Sequence, residues 1–424
     1  MRTLRKTLGY VSAAILSLGI LSSCQKDDFA EPQTQIDKQA SEVVSVQTYS
    51  GEEFAALFEG LEVQPDTKCA ALDYEVTVMN YQSTGANGQP ITLSMKLAYP
   101  KGILTKYHDP SFIVLDNHPT ICSDVECPSY NTPYALSKAL EDALVVCPDY
   151  EGYGVSVAND HPYLCHEINA RQSVDAVFAA IDYINGKKGI KMANKYHLEN
   201  NGYSQGGGIA LAVHKYIENN LSASEQSVLN LKKSLCGGGP YNPVATFNKY
   251  KEWDELVYPT VAAMQIIGFM AGFPELFKDF TLEDFFTPEF YASDAINMIR
   301  SKQYTIEEIN AYFTDTFGSA RCSDIFSPAM FDETSPLSQA VMTCLEANDL
   351  TTGWAPKAKV TLFHSKGDDV VPMENAQIAY NALNNGNVDL DWAIASPGHV
   401  NTGILYYIKY LNIVFLPGVL NNLL

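Results

Sequence analysis

One short string in the 424-residue chain combines a nucleophile with the glycines needed to expose it: Gly202-Tyr203-Ser204-Gln205-Gly206. A serine hydroxyl carried on a sharp turn between a strand and a helix can attack a carbonyl carbon, provided the residues two positions away leave the turn room. Glycine at 202 and 206 leaves that room, and the amides that open the following helix can stabilise developing negative charge. The hydroxyl is a poor nucleophile alone; it needs a histidine base whose tautomer is fixed by a carboxylate. Two later segments offer those groups. Phe363-His364-Ser365-Lys366-Gly367-Asp368-Asp369-Val370-Val371-Pro372 presents Asp368, with Asp369 as second choice, and Ser396-Pro397-Gly398-His399 presents the last histidine of the chain. His364 is the competing base, but it precedes both aspartates. The expected roles are therefore Ser204 as nucleophile, Asp368 as acid and His399 as base. One oxyanion donor is expected at the N–H of Gln205. The second belongs to the loop Asp116-Asn117-His118-Pro119-Thr120, where Pro119 has no N–H and Asn117, His118 and Thr120 remain open.

These groups need elements to hold them. Residues 74–81 and 91–99 alternate at period two around Gly85-Ala86-Asn87-Gly88, the signal of a hairpin. Apolar runs at 111–115 and 143–147 read as buried strands, with a helical pattern at 134–144 between them. A helix is expected at 167–184, with Val174, Val177, Phe178, Ile181 and Ile184 on one face. A strand at 196–203, a helix at 207–219 and a strand at 233–236 follow. Such alternation implies a mostly parallel sheet with helices on both faces. From 241 to 354 the alternation stops: the chain is helical and apolar, with a capping-box pattern at Thr305-Ile306-Glu307-Glu308. It resumes with a strand at 359–364, a helix around 374–383 and a strand at 390–394. The apolar stretch 403–415 is interrupted by Lys409 and Asn412 and followed by Pro417, so it reads as a packed terminal helix and not a membrane span. The expected organisation is a first core segment at 51–240, an inserted helical cap at 241–354 and a second core segment at 355–424.

With these residues placed, the chain from about residue 70 onward resembles the secretory lipase family, a capped branch of the α/β-hydrolases. The likeness rests on Val145-Val146-Cys147-Pro148-Asp149-Tyr150-Glu151-Gly152, on Gly202-Tyr203-Ser204-Gln205-Gly206-Gly207 and on Cys236-Gly237-Gly238-Gly239-Pro240. The Asp-x-x-Val-Pro that begins at Asp368, and Gly398-His399, complete it. The resemblance implies an α/β-hydrolase fold with a helical cap, with Ser204, Asp368 and His399 following one another in that order. It also implies hydrolysis of carboxylic esters through an acyl-enzyme, and a disulfide between Cys127 and Cys322. No metal or organic cofactor is expected, because the triad carries the chemistry unaided. Two alternatives stay open: a serine peptidase or a polysaccharide deacylase releasing acetyl or feruloyl groups on the same triad, and a glycan-binding surface lipoprotein on a degenerate hydrolase fold.

The N-terminus speaks to location. Arg2, Arg5 and Lys6 precede an apolar stretch at 8–21 that closes on Leu21-Ser22-Ser23-Cys24. That pattern is expected to be a signal peptide, residues 1–23, and the closing string resembles a bacterial lipobox whose cysteine is acylated. Acyl chains on Cys24 would hold the protein at the cell envelope, on an outer-membrane face, without a spanning helix. The polar residues 24–50 read as a flexible tether. The other eight cysteines permit disulfides in an oxidising compartment, and none has the spacing of a structural zinc site. Composition agrees: 46% hydrophobic and 18% charged residues support a large core. Twenty-eight basic residues against 49 acidic ones, a net −21, argue against nucleic acid as partner and against attraction to anionic headgroups. The expected partner is a small-molecule or glycan ester; oligomeric state is not legible.

Overall fold

The continuous apolar runs become the centre of a sheet. The structure, a computed structural model, describes residues 41–58, 61–62, 72–101, 111–187, 196–318 and 320–415. The expected signal peptide, Cys24, the first part of the expected tether and Cys69 lie outside these residues. Among the described residues nine strands form one sheet: β1 (Glu42–Ser50), β2 (Asp73–Thr84), β3 (Pro90–Pro100), β4 (Ser111–Asn117), β5 (Ala143–Pro148), β6 (Tyr196–Tyr203), β7 (Leu231–Gly237), β8 (Lys359–His364) and β9 (Val388–Trp392). Their spatial order is β1-β2-β3-β5-β4-β6-β7-β8-β9. The first three are antiparallel, β3 meets β5 antiparallel, and all pairings from β5 to β9 are parallel. Every residue of β5 is buried, as expected of a strand covered on both faces. The connections run in opposite directions from β4, so a crevice opens at the carboxyl ends of β4 and β6.

Helices α1 (His166–Gly186) and α2 (Gln205–Asn220) cover one face. Ile209, Val213 and Ile217, spaced four apart along α2, join Val174, Val177 and Ile181 of α1 over Leu115, Val146 and Leu198. Between β7 and β8 the chain forms α3 (Pro243–Glu252), α4 (Pro259–Gly272), α5 (Ile306–Phe317), α6 (Pro336–Ala347) and shorter turns. This segment has its own aromatic core, in which Phe286, Phe290, Phe313 and Phe326 pack with ring centroids 4.9–5.8 Å apart. The capping box that starts α5 forms: Thr305 N donates to the Glu308 carboxylate at 2.8 Å, and Glu308 N donates to Thr305 Oγ1 at 3.3 Å. After β8 come α7 (Glu374–Leu383), on the same face as α1 and α2, and α8 (His399–Leu411), which lays Ile404 and Tyr406 on the opposite face against Tyr203, Val145 and Phe363.

Three expectations need correction. Residues 42–50 are not tether but edge strand β1, paired with β2 over its whole length. Their side chains are almost all exposed, so no buried/exposed alternation marks them; only the β-branched Val43, Val44, Val46 and Thr48 hint at a strand. The pattern at 134–144 is a 3₁₀ turn over Tyr134–Glu141, ended by Asp142 in the left-handed conformation at φ 69°. Cys127 and Cys322 are not joined; all seven cysteines among the described residues are free and buried. Cys322 Sγ instead donates to the Tyr250 carbonyl at 3.3 Å, within the helical segment.

Candidate active site

The chain turns sharply from β6 into α2, and Ser204 stands at the corner with φ 59° and ψ −123°. That conformation is strained for a residue with a Cβ and is sustained by what surrounds it. Gly202 and Gly206 are required there. A Cβ on Gly202 would lie 2.2 Å from the Gly206 carbonyl oxygen, and one on Gly206 would lie 1.9 Å from that of Asn117. The turn lifts the serine hydroxyl over the carboxyl ends of the strands and makes Gln205 N the first amide of a 16-residue helix.

The loops after β8 and β9 meet Ser204 from one side. His399 Nε2 lies 2.8 Å from Ser204 Oγ, and His399 Nδ1 lies 2.8 Å from Asp368 Oδ2. The other carboxylate oxygen, Asp368 Oδ1, accepts from Val370 N at 3.0 Å and Val371 N at 2.8 Å. Burial would raise the Asp368 carboxyl, but the histidines at 399 and 364 and these amides outweigh it and hold it below the usual value of 3.8. An ionised Asp368 accepts a hydrogen bond from His399 Nδ1–H, which fixes the proton on Nδ1 and leaves Nε2 as an acceptor for the serine proton. The three residues brought together are thus those chosen for nucleophile, acid and base.

The neighbours of these residues have other places. Asp369 Oδ1 accepts from His399 N at 2.9 Å, so its carboxylate sits at the N-terminus of α8 and fixes the histidine backbone. His364 is fully buried behind the acid loop: its Nε2 donates to the Val371 carbonyl at 2.9 Å and lies 3.5 Å from Asp368 Oδ2. Tyr203 donates to the His399 carbonyl at 2.5 Å and packs its ring 5.0 Å from the imidazole.

The loop after β4, expected to give a backbone N–H as the second oxyanion donor, holds the side chains of its candidates elsewhere. The Asn117 side chain turns into the sheet, donating to Asn200 Oδ1 at 2.8 Å and the Asn201 carbonyl at 2.9 Å. The His118 ring turns away too, with Nδ1 2.7 Å from the Pro119 carbonyl and its face stacked on Tyr150 at 4.0 Å. Neither side chain is aimed at the serine. The residues of this loop that wall the cavity with Ser204 and His399 are Pro119 and Thr120, and the Thr120 hydroxyl lies 2.8 Å from that of Tyr163. That cavity measures about 210 Å³; Tyr258 and Val261 of the helical segment, Ile306, and Val370 close it.

Sequence reasoning missed the support beneath Gln205. The side-chain amide of Gln205, Nε2, donates to His161 Nε2 at 2.6 Å, and His161 Nδ1 donates to the Glu151 carbonyl at 2.7 Å. Burial pushes the His161 imidazole down to about 3, so the ring is neutral and can accept. The Glu151 carboxylate in turn holds Gln172 at 2.7 Å and Ala86 N at 2.8 Å. Glu151 lies within a string quoted for the family likeness, but His161 belongs to no motif. Among the described residues no group of histidine, cysteine or acidic side chains is arranged to hold a metal, and no helix is long and apolar enough to cross a membrane.

A mostly parallel sheet with this strand order, a serine at the strand-to-helix corner after β6, and a histidine and an aspartate on later loops define the α/β-hydrolase fold. No protein-family profile matches the chain. It is similar to the secreted triacylglycerol lipase LIP5 of Malassezia furfur, with 25% identity over 244 residues that make up 56% of this chain and 55% of that one. The chain therefore spans about half the length of that curated relative. Among solved structures it is similar to the rice cell wall degrading esterase LipA of Xanthomonas oryzae, with a TM-score of 0.65 and 23% identity over 87% of this chain and 95% of that one. It is also similar to lipase A of Candida antarctica in its closed state, with a TM-score of 0.60 and 14% identity over 87% and 80% of the two chains.

Proposed function

We propose that the protein is a serine hydrolase of carboxylic esters that works through an acyl-enzyme. One observation carries the reading: the unbroken relay from Ser204 Oγ through His399 to the ionised Asp368, set at a strained corner beside a helix N-terminus. Ser204 Oγ attacks the ester carbonyl while His399 Nε2 takes its proton. The oxygen of the tetrahedral intermediate turns toward the backbone N–H of Gln205, a residue whose side chain is anchored by its hydrogen bond to His161. As the intermediate collapses, His399 gives the proton to the departing alcohol oxygen. Water, activated by the same imidazole, then frees the acid and restores the serine. The names of the similar proteins, a triacylglycerol lipase and a cell wall degrading esterase, support ester chemistry.

The test is hydrolysis of p-nitrophenyl esters from acetyl to palmitoyl by the native chain and by Ser204→Ala. The variant is expected to lose about 10⁴-fold or more in kcat while it folds normally. Turnover unchanged in the variant would sink the mechanism. We further propose attachment to the cell envelope through lipid on Cys24, as the string before it suggests. Cys24→Ser should move the activity from the membrane fraction to the soluble fraction, and activity that stays with the membrane would count against the anchor.

A further inference from the structure

Two cavities meet at Ser204, and they differ in size and in which reacting partner they face. The first, about 210 Å³, has His399 and Val400 in its wall. The second, about 30 Å³, has Gln205 in its wall and not His399. Its remaining boundary includes Tyr163, Leu164, Tyr250 and, from α4, Val261 and Gln265. Val261 and Val370 belong to both walls and stand between them with the serine.

The chemistry assigns the two spaces. The alcohol oxygen must receive its proton from His399 Nε2, so the alcohol part of the ester lies on the histidine side, in the larger cavity. The carbonyl oxygen turns to Gln205 N–H. The acyl substituent is then directed away from the imidazole, into the smaller pocket. A water-sized sphere can be centred over only about 30 Å³ there, against about 210 Å³ on the histidine side, which is room for a short acyl group and not for a long chain. The methyl of an acetyl group fits; an octanoyl chain overfills it, and each added methylene must press further on the wall. The pocket cannot easily yield, since Leu164 and Tyr250 in its wall are buried and Tyr250 is pinned by donating to the Val370 carbonyl at 2.9 Å.

We infer that the enzyme is an acetyl esterase, cleaving acetate from an alcohol much larger than the acid, an inference that rests on the serine-hydrolase reading. The alcohol enters a space seven times larger, bounded by the apolar Val261, Ile306 and Val400, with Glu307 also in its wall. Long acyl chains have no place on the Gln205 side of the serine.

The experiment compares kcat/KM for p-nitrophenyl acetate, butyrate and octanoate in the full chain, alongside labelling by a methyl fluorophosphonate whose methyl group matches an acetyl. Acetate is expected to exceed octanoate by about tenfold or more, with butyrate between them, as overfilling a packed pocket costs on that scale. Gln265→Ala shortens a half-buried side chain in the wall of the small pocket and should raise butyrate relative to acetate; Val261→Ala, which opens the partition, should do the same. Labelling with equal turnover of acetate, butyrate and octanoate would overturn the acetyl assignment alone. So would a steep acetate preference that neither variant relaxes, because the preference would then not come from this pocket. Absence of both labelling and turnover would overturn the serine-hydrolase reading and this inference with it.

Discussion

Asp368 and Asp369 are adjacent carboxylates with different work, and the difference is measurable. Asp368 orients the imidazole through Nδ1, while Asp369 holds the backbone amide of the same histidine. Asp368→Asn keeps the shape but offers an N–H where the histidine proton must point. His399 would then carry its proton on Nε2 and could not accept from Ser204. A fall of about 10⁴-fold in kcat with little change in KM is expected. Asp369→Asn keeps an oxygen for the amide of His399 and should cost no more than roughly tenfold. Steady-state kinetics on both variants decide it; equal losses, or the larger loss at 369, would move the acid to Asp369. This choice was legible in sequence because each reacting side chain follows an apolar run and the residue types are restrictive. His161 was not legible, since its bond to Gln205 joins positions 44 residues apart with no spacing rule between them. The acyl pocket was hidden for the same reason: Leu164, Tyr250 and Gln265 come from three separate parts of the chain.

The elements β6 and α2 matter mainly for the angle between them. That angle brings the α2 N-terminus against the end of β4, where the Gly206 Cα faces the Asn117 and His118 carbonyls. An alanine Cβ at 206 would stand 1.9 Å from one and 2.8 Å from the other. Both obstacles are main chain, so no rotamer change relieves them and the helix must shift. Gly206→Ala should therefore lose about 2–3 kcal/mol of stability, at the upper end for overpacking. It should also lose activity, because the shift carries Gln205 N–H away from the developing oxyanion. A thermal melt paired with kcat/KM tests both, and a variant with native Tm and native activity would mean the corner has slack that these distances deny. The strands that set this corner were readable because they are buried on both faces and appear as unbroken apolar runs. Edge strand β1 escaped for the opposite reason. Its partner β2 supplies hydrogen bonds but buries little of it, and hydrogen bonding alone leaves no hydrophobic period in a sequence.

At the scale of the whole molecule, the seam between the sheet and the helical segment carries an acid-sensitive set of groups. His166 at the start of α1 binds the Asn348 carbonyl just beyond α6, His161 braces the turn into α2, and His118 stacks under the loop that lines the cavity. Burial lowers all three, to about 4 for His118 and His166 and about 3 for His161. An unfolded histidine takes up a proton near pH 6.5, so between there and the folded values the unfolded chain binds more protons. Stability contributed by the three is complete above pH 6.5 and is lost as the pH falls toward 4 and below. Asp116 at the end of β4 works in the other direction. Burial raises it to about 7, against 3.8 when free, so the folded chain gains relative stability as the pH falls from 7 toward 4. For these four groups alone the net is a loss on the order of a few kcal/mol between pH 7 and 5. Burial also lowers His364, on the side of the three, and raises Asp149 and Glu167, on the side of Asp116. A lower Tm at pH 5 than at pH 7 is expected, in buffers of equal ionic strength. Asp116→Asn removes the opposing contribution: it should be more stable than the native chain at pH 8, where no charge is buried at that position, and should show the steeper fall on acidification. A Tm that holds or rises from pH 7 to 5 in Asp116→Asn as well as in the native chain would show that the seam does not keep its histidines neutral. The tautomer that lets His161 accept from Gln205 would then lose its footing as well.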